Sequence, residues 1–229
     1  MESDVSKTYV NDETILNIKE IFKLIDKLEY EEAFLLSSKI IERNDNGDQL
    51  FHEWIKALAE SYSCNSKETA IQLLTKVKPD ELENEIHFRI INSLMCFYIE
   101  IGNEQKFLEH KDKLISNLDK LDNDELLTII MCNIANGYYE FKNHKISLEY
   151  CEKAINMCQQ YRIFSLNFSV VVMIKIVDLF YLREIEKAKK LEKDFETFLR
   201  LTNNIGDLKY LKENLEEFYK EVQYDKKSI

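Results

Sequence analysis

The chain has 229 residues and a formal net charge of −11 at pH 7, from 31 basic and 42 acidic residues. Hydrophobic residues make up 45% of it, which supports a core and argues against disorder. A duplex-binding surface needs clustered Lys and Arg to neutralise phosphates, whereas the basic residues here are interleaved with acids. The composition therefore predicts no direct contact with nucleic acid.

The scarcity of turn-forming residues predicts an all-α fold. Strand-rich folds consume Gly and Pro in their turns, and this chain has only 4 Gly and 1 Pro. We therefore predict five helix pairs and one final helix, which form one repeat domain at 13–229 after an N-terminal extension or linker remnant at 1–12. In chain order, the predicted helices span 14–28 and 30–43, 49–63 and 66–78, 82–101 and 104–120, 124–141 and 145–160, 165–182 and 185–201, and 207–223.

Turn-forming residues separate these elements. Asn, Gly and Asp at 46–48 follow the first pair, and Pro79 ends the second because proline cannot continue a helix. Asp80 and Glu83 have the spacing of a capping box for the next helix. The stretch 203–206, Asn-Asn-Ile-Gly, precedes the final helix. The exposed side of that helix is rich in Lys and Glu, which is typical of a terminal cap.

One buried position recurs at the start of each second helix. These positions, which we call the anchors, are spaced 37, 37, 40 and 41 residues apart and are Ala33, Ala70, Phe107, Ser147 and Ala188. In the fourth pair, Ala135, Tyr138, Ser147 and Ala154 fit the small, aromatic, small, small pattern of tetratricopeptide repeats. The spacing exceeds the usual repeat of about 34 residues. The pattern therefore predicts a right-handed superhelix of degenerate tetratricopeptide-like pairs closed by a C-terminal capping helix.

The residues that catalysis and metal binding require lack the right spacing. None of the four histidines lies three or four residues from another His or Cys, as a helical zinc site needs. Glu149 and Glu152 lie near His144, but in the wrong order for a diiron motif. The chain has no glycine-rich phosphate loop and no nucleophile elbow. We therefore predict no catalytic residue, metal site or cofactor, and so no enzyme.

The cysteines and the N-terminus indicate a reducing compartment. The five cysteines are odd in number, and no two have CxxC spacing. The first residues have no apolar core of a signal peptide. The most apolar stretch, 168–182, contains Lys175 and Asp178 and is too short to span a bilayer. We expect a cytoplasmic protein in which this stretch is a buried helix and no segment contacts a membrane.

Polar residues recur on the first helices of the middle pairs. In stacked pairs the first helices line the concave side, which places Asn92 with Arg89, and Asn133 with Asn136, in a groove. A carboxamide both donates and accepts, which suits the unpaired backbone of an extended peptide. Hydrogen bonds between helices, or a solvated surface, are the alternative explanation. The other residues predicted to face the groove include Ile18, Phe22, Ile55, Ala59, Cys132, Ile174 and Val177.

The sequence resembles the C-terminal peptide-receptor domain of the PlcR-type quorum-sensing regulators, part of the RRNPP group. The anchors, residues 90–102 (IINSLMCFYIEIG) and residues 131–155 carry this resemblance, which covers roughly 13–219. The resemblance implies a homodimer that holds a short signalling peptide with one asparagine on the first helix of each of two middle repeats. The matching residues are Asn92 and Asn133.

The resemblance has one departure. DNA-binding members of the family begin with a helix-turn-helix domain, and we find no room for one before the first repeat. We expect either an excised receptor domain or a natural protein without the DNA-reading part. The expected partner is then a peptide or protein segment and not DNA.

These observations predict a peptide-binding receptor or regulatory domain. Lys56 and Arg89 are predicted to attract an acidic side chain or a peptide C-terminus. Asn136 and Tyr139 would extend the polar floor, and Phe180 would meet an apolar side chain. The alternative is a generic tetratricopeptide scaffold that binds a protein partner without sensing a peptide. A helical enzyme with an unrecognised site is a third possibility, which a buried cluster of carboxylates would support.

Overall fold

A computed structural model describes residues 12–43, 49–63, 66–164 and 166–227, and these residues form eleven α-helices, one short 3₁₀ helix (Leu118–Lys120) and no strand. The predicted extension at 1–12 lies outside the described residues except for its last residue, and the predicted turn at 46–48 and Cys64 lie outside them entirely. The helices are α1 (Asp12–Asp26), α2 (Tyr30–Arg43), α3 (Gln49–Tyr62), α4 (Lys67–Val77), α5 (Glu85–Glu100), α6 (Glu104–Ile115), α7 (Asp124–Glu140), α8 (His144–Tyr161), α9 (Leu166–Tyr181), α10 (Ile185–Leu201) and α11 (Ile205–Lys227).

The predicted all-α fold of helix pairs with a final helix is confirmed, and most predicted ends lie within a few residues of the observed ones. The largest difference is at the end of α6, which was predicted at 120 and lies at Ile115, because a separate 3₁₀ helix follows it. The start of α5 also differs. The side chain of Asn84 accepts a hydrogen bond from the backbone N–H of His87 at 3.2 Å, and α5 begins at Glu85. The predicted capping box at Asp80 and Glu83 is therefore wrong, because a capping side chain closer to the helix satisfies its N–H groups.

The chain divides into two compact units, Met1–Phe97 and Tyr98–Ile229, with the division inside α5. In the first unit, α2 packs against α1 and α3, and α4 packs against α3. In the second unit, α8 packs against α7 and α9, and α9 also contacts α7, α10 and α11. Contacts between α7 and α9 join the first helices of successive pairs, as stacked helix repeats require.

The predicted repeat register is confirmed by the anchors. All five have no exposed surface, and each lies at the same point of its helix. The backbone N–H of each anchor donates to the carbonyl four residues earlier, just before the helix begins; the accepting residues are Glu29, Ser66, Asn103, Asn143 and Glu184. A residue that starts each second helix and is completely buried fixes how closely that helix approaches its neighbours.

The fourth pair has the packing that its sequence predicts. The ring of Tyr138 is buried and lies 5.3 Å from the ring of Phe107 and 5.5 Å from that of Tyr150, measured between centroids. The hydroxyl of Ser147 donates to the carbonyl of Ala135 at 3.0 Å. Ala135 also belongs to the same buried cluster as Ala154. Small residues thus bring α7 and α8 together, and the aromatic ring fills the space beside them.

Phe107 is the one large anchor, and Gly137 makes room for it. A Cβ atom added to Gly137 would lie 2.3 Å from Cε2 of Phe107 and 2.9 Å from Cδ1 of Ile99. Real carbon atoms do not approach this closely without displacement. The glycine on α7 therefore compensates for a bulky residue where the other pairs carry Ala or Ser.

Replacing Gly137 with Ala should destabilise the protein by about 1–3 kcal/mol, because overpacking of a closed core outweighs the better helix propensity of Ala. Gly206→Ala is the matched control, since a Cβ there meets no atom within 4 Å. That control should leave stability unchanged or raise it by up to about 1 kcal/mol. Urea unfolding followed by circular dichroism measures both, and equal midpoints for the two variants would contradict this packing.

The turns that end the first helices repeat one backbone geometry. The second residue after the helix has a left-handed φ, between 59° and 71°, at Leu28, Gly102, Lys142 and Arg183. The N–H of the next residue then donates to a carbonyl five residues back, at 2.8 Å in all four turns. Only Gly102 has a residue type suited to this conformation, since a Cβ atom crowds the following carbonyl. The Leu, Lys and Arg therefore carry local strain.

We expect Arg183→Gly to stabilise the protein by about 0.5–1 kcal/mol, because glycine relieves the left-handed strain at a helix end. The reverse change, Gly102→Ala, should cost about 1 kcal/mol for the same reason. Thermal unfolding of the two variants tests the claim. A lower melting temperature for Arg183→Gly would show that the arginine side chain contributes more than the strain removes.

The final helix α11 closes the second unit as the sequence predicts. Its buried face consists of Leu208, Leu211, Leu215 and Phe218, while Lys209, Lys212, Glu213 and Glu216 are exposed. The hydroxyl of Ser169 on α9 donates to Asp207 at 2.5 Å and ties the start of α11 to α9. Amphipathic packing of this kind lets the last helix cover the apolar surface that stacking leaves open.

Candidate functional site

Arg89 is the best-positioned cation among the candidate residues of the first unit. Its Nε and Nη2 atoms lie 2.8 and 2.7 Å from the same oxygen, Oε1 of Glu85, one helical turn earlier. The guanidinium carbon lies 4.6 Å from the ring centre of Phe22 and 5.4 Å from that of Trp54. We call Phe22, Trp54, Glu85 and Arg89 the Arg89 cluster. It joins three first helices, α1, α3 and α5.

The same face of α5 continues with predicted polar residues. Ser93 lies one turn after Arg89 and accepts a hydrogen bond from Nε1 of Trp54 at 2.8 Å. Asn92, beside it, is 9% exposed to solvent. Lys56 on α3 is half-buried. These residues lie on α3 and α5, which are first helices, but Asn92 and Ser93 are buried, so their exposure to a groove stays a prediction. The hydrogen bond between Trp54 and Ser93 ties α5 to α3.

In the second unit, three candidate residues follow one face of α7. Asn133, Asn136 and Tyr139 are three residues apart and are all half-buried, so this face is accessible to solvent along its length. The ring of Tyr139 also lies beside the ring of His144, with 6.1 Å between the two centroids. Two amides and a phenol thus line one accessible stripe, which has hydrogen-bonding groups but no charge.

Phe180 is already packed against the final helix. Its ring centroid lies 5.6 Å from that of Phe218 and 5.4 Å from that of Tyr219. The hydroxyl of Tyr219 in turn donates to Glu192 at 2.6 Å. Phe180 is half-buried, so a ligand that meets it also meets α11. This contribution from α11 was not predicted, because the sequence does not show which face of a terminal helix is covered.

Several residues predicted to face the groove are instead buried in the core. Ile55, Ala59, Cys132, Ile174 and Val177 have at most 7% of their surface exposed. In the second unit the first helices of successive pairs contact one another, which covers the positions beside the repeat motif. The accessible surface of a first helix is therefore narrower than we predicted when we placed the residues beside the repeat motif in the groove. That the candidates of the two units line one common groove stays a prediction.

A buried acid and histidine lie beside Tyr139. Asp178 has no exposed surface, and its Oδ1 lies within hydrogen-bond distance of Nδ1 of His144, at 2.9 Å. Its other oxygen, Oδ2, is buried without a hydrogen-bond partner among the described residues. Burial raises the pKa of Asp178 to about 6, although Ser147 and His144 oppose the shift. The pair resembles two members of a catalytic triad, but Ser147 is buried and donates to a backbone carbonyl, so it is no nucleophile.

The raised pKa of Asp178 gives stability a definite pH dependence. The folded carboxyl keeps its proton up to about pH 6, whereas the unfolded one loses it near its ordinary value of 3.8. Its contribution to stability is therefore present at low pH and is lost as pH rises from about 4 to 6. Asp178→Asn, which cannot ionise, should reduce this decline and raise stability at neutral pH by on the order of 1–3 kcal/mol. Urea unfolding at several pH values measures this, with the exposed Asp119→Asn as control; identical pH profiles for wild type and Asp178→Asn would contradict it.

The described part of the chain has neither a candidate metal cluster nor a membrane-spanning helix. No three side chains of His, Cys, Asp or Glu within 12–43, 49–63, 66–164 and 166–227 are arranged to hold a metal ion. Over those same ranges, no helix combines the length and the apolar content needed to cross a membrane. The apolar stretch 168–182 lies largely within α9, and Val171 and Ile176 there are fully buried, as predicted.

The fold is similar to solved structures of PlcR from Bacillus thuringiensis. The apo form of PlcR has a TM-score of 0.74 and 20% sequence identity, and the match covers 86% of this chain and 76% of PlcR. PlcR in complex with the peptide PapR7 and DNA has a TM-score of 0.72 and 16% identity, over 89% of this chain and 76% of PlcR. The chain shares the PlcR fold. The likeness predicted from the sequence is therefore confirmed at the level of fold.

A Rap protein complexed with Competence and Sporulation Factor is also similar. Its TM-score is 0.67 at 15% identity, and the match covers 87% of this chain but only 58% of Rap. No protein-family model matches the chain, and no curated sequence is similar to it. At these identities the likeness establishes the fold, and function has to be argued from the residues.

Proposed function

We propose that this chain is a peptide receptor of the quorum-sensing regulator type, which binds a short signalling peptide along its first helices. The likeness of fold to PlcR solved with PapR7 carries the proposal, and it extends over 89% of the chain. Rap, solved with Competence and Sporulation Factor, has the same kind of fold. In this proposal the chain acts by binding and does no catalysis.

The chemistry of the α7 stripe supports a peptide ligand. Asn133 and Asn136 are each partly exposed, and a carboxamide can donate to a peptide carbonyl and accept from a peptide N–H. An extended peptide has backbone groups that need such partners. Tyr139 adds a hydroxyl at the end of the stripe. In the first unit, Asn92 would supply another amide, and Lys56 and Arg89 would supply positive charge to an acidic group.

The partners follow from the same reasoning. The chain would act as a cytoplasmic homodimer that recognises a peptide or protein segment. We do not extend the DNA binding of PlcR to this chain, because the net charge of −11 on this chain opposes phosphate binding. The alternative function is a scaffold for a larger protein partner, which would use the same helical surface without any preference for short peptides.

Asn133→Ala should weaken binding of a short peptide by on the order of 1–3 kcal/mol, because a peptide backbone group loses its partner in a desolvated site. A library of largely apolar peptides of about seven residues, each with one acid, provides the probes. The fluorescence of Trp54, the single tryptophan of the chain, reports binding, and calorimetry gives the affinity. Asn92→Ala tests the first unit in the same way.

Asn156→Ala is the matched control, since Asn156 is an exposed asparagine on the second helix of the same pair. It should bind the best peptide as tightly as wild type. If Asn133→Ala and Asn92→Ala also bind it unchanged, the peptide site lies elsewhere. If no library peptide binds at all, the receptor function is wrong and the scaffold function is favoured.

A further inference from the structure

Arg89 already forms an ion pair with an acid of its own helix, Glu85. We propose that Glu85 is an internal competitor for the ligand carboxylate at Arg89, and that this competition sets how strongly the receptor prefers acidic peptides. The inference rests on the proposed peptide-binding function and names the group that Arg89 would recognise. Glu85 would thereby control specificity without contacting the ligand.

The geometry of the pair leaves a better partner possible. Nε and Nη2 of Arg89 both contact the same oxygen of Glu85, at 2.8 and 2.7 Å. The strongest pairing of arginine with a carboxylate uses two parallel bonds to two oxygens. A carboxylate from outside the helix is free to adopt that alignment. An incoming acid can therefore form a stronger pair than Glu85 does.

The aromatic rings prepare Arg89 for such a partner. The guanidinium lies against the adjoining rings of Phe22 and Trp54, which remove part of its water, and its side chain is only 17% exposed. Trp54 is itself held by its hydrogen bond to Ser93. A charge that is fixed in advance binds its partner with little loss of conformational freedom. Arginine also suits this position because it is weakly hydrated and stacks well on rings.

Glu85, in contrast, is the more exposed member of the pair. Its side chain is 43% exposed, against 17% for Arg89, so water reaches the carboxylate when it turns away. A ligand acid must nevertheless displace Glu85, in a chain that already carries a net charge of −11. The competitor therefore lowers the affinity for every acidic ligand and has little effect on neutral ones.

The test compares Glu85→Gln with Glu81→Gln, an exposed acid of the same unit that makes the same change in net charge. The probes are apolar peptides of about seven residues in three forms: with a C-terminal carboxylate, with a C-terminal amide, and with an amide plus one internal Glu. Calorimetry gives the affinity of each form. The last two forms distinguish a peptide terminus from a side chain as the source of the carboxylate.

We expect Glu85→Gln to bind one or both acid-bearing forms about three- to tenfold more tightly than wild type, with the neutral form unchanged. Glu81→Gln should leave the ratio of acidic to neutral affinity as it is. Arg89→Gln should remove the preference for the acid, and its melting temperature shows whether it has folded. Unchanged or weaker binding of both acid-bearing forms to Glu85→Gln would overturn the inference, because Glu85 would then only orient Arg89. Equal effects of Glu81→Gln and Glu85→Gln would also overturn it. Either result leaves the peptide-receptor function standing, whereas failure of all three forms to bind wild type sinks the function itself.

Discussion

The fold depends on the close packing of each second helix at its anchor residue. A single helix pair cannot bury its apolar faces alone, so each pair must meet its neighbours at a fixed distance. Ala and Ser serve as anchors in four of the pairs because they allow that distance with no compensation. Phe107 does not, and the pair that contains it depends on a glycine of the next helix. The repeat therefore constrains volume more than residue identity.

Packing at the anchors also determines where ligand-binding groups can lie. The positions flanking the motif on the first helices are buried, as Ile174 and Val177 on α9 show. What stays accessible is a narrow stripe, such as Asn133, Asn136 and Tyr139 on α7. Polar residues on such a stripe contribute little to the core. In the proposed function, the rigid helix would hold them at the fixed spacing that a defined ligand requires.

The sequence predicts the fold well because the same buried anchor position recurs independently in every helix pair. Spacing of the anchors, few glycines and a charged final helix all indicate one architecture, and the helix ends follow within a few residues. The individual caps are less predictable, since Asp80 and Asn84 are both good N-cap residue types, and only the structure shows that Asn84 caps the helix. Contacts between distant residues are harder still. His144 and Asp178 are 34 residues apart, and only the presence of an acid in an apolar stretch hinted at a buried pair.

The Glu85–Arg89 pair could have been found from spacing alone, since acid and base four residues apart on a helix commonly interact. Its meaning could not, because the rings of Phe22 and Trp54 come from two other helices. An ordinary surface pair has water around both groups and contributes almost nothing. Here one partner is fixed and partly dehydrated while the other remains exposed. The fixed cation can pair with a carboxylate from any source, and this asymmetry is what would let the proposed receptor use Arg89 for recognition.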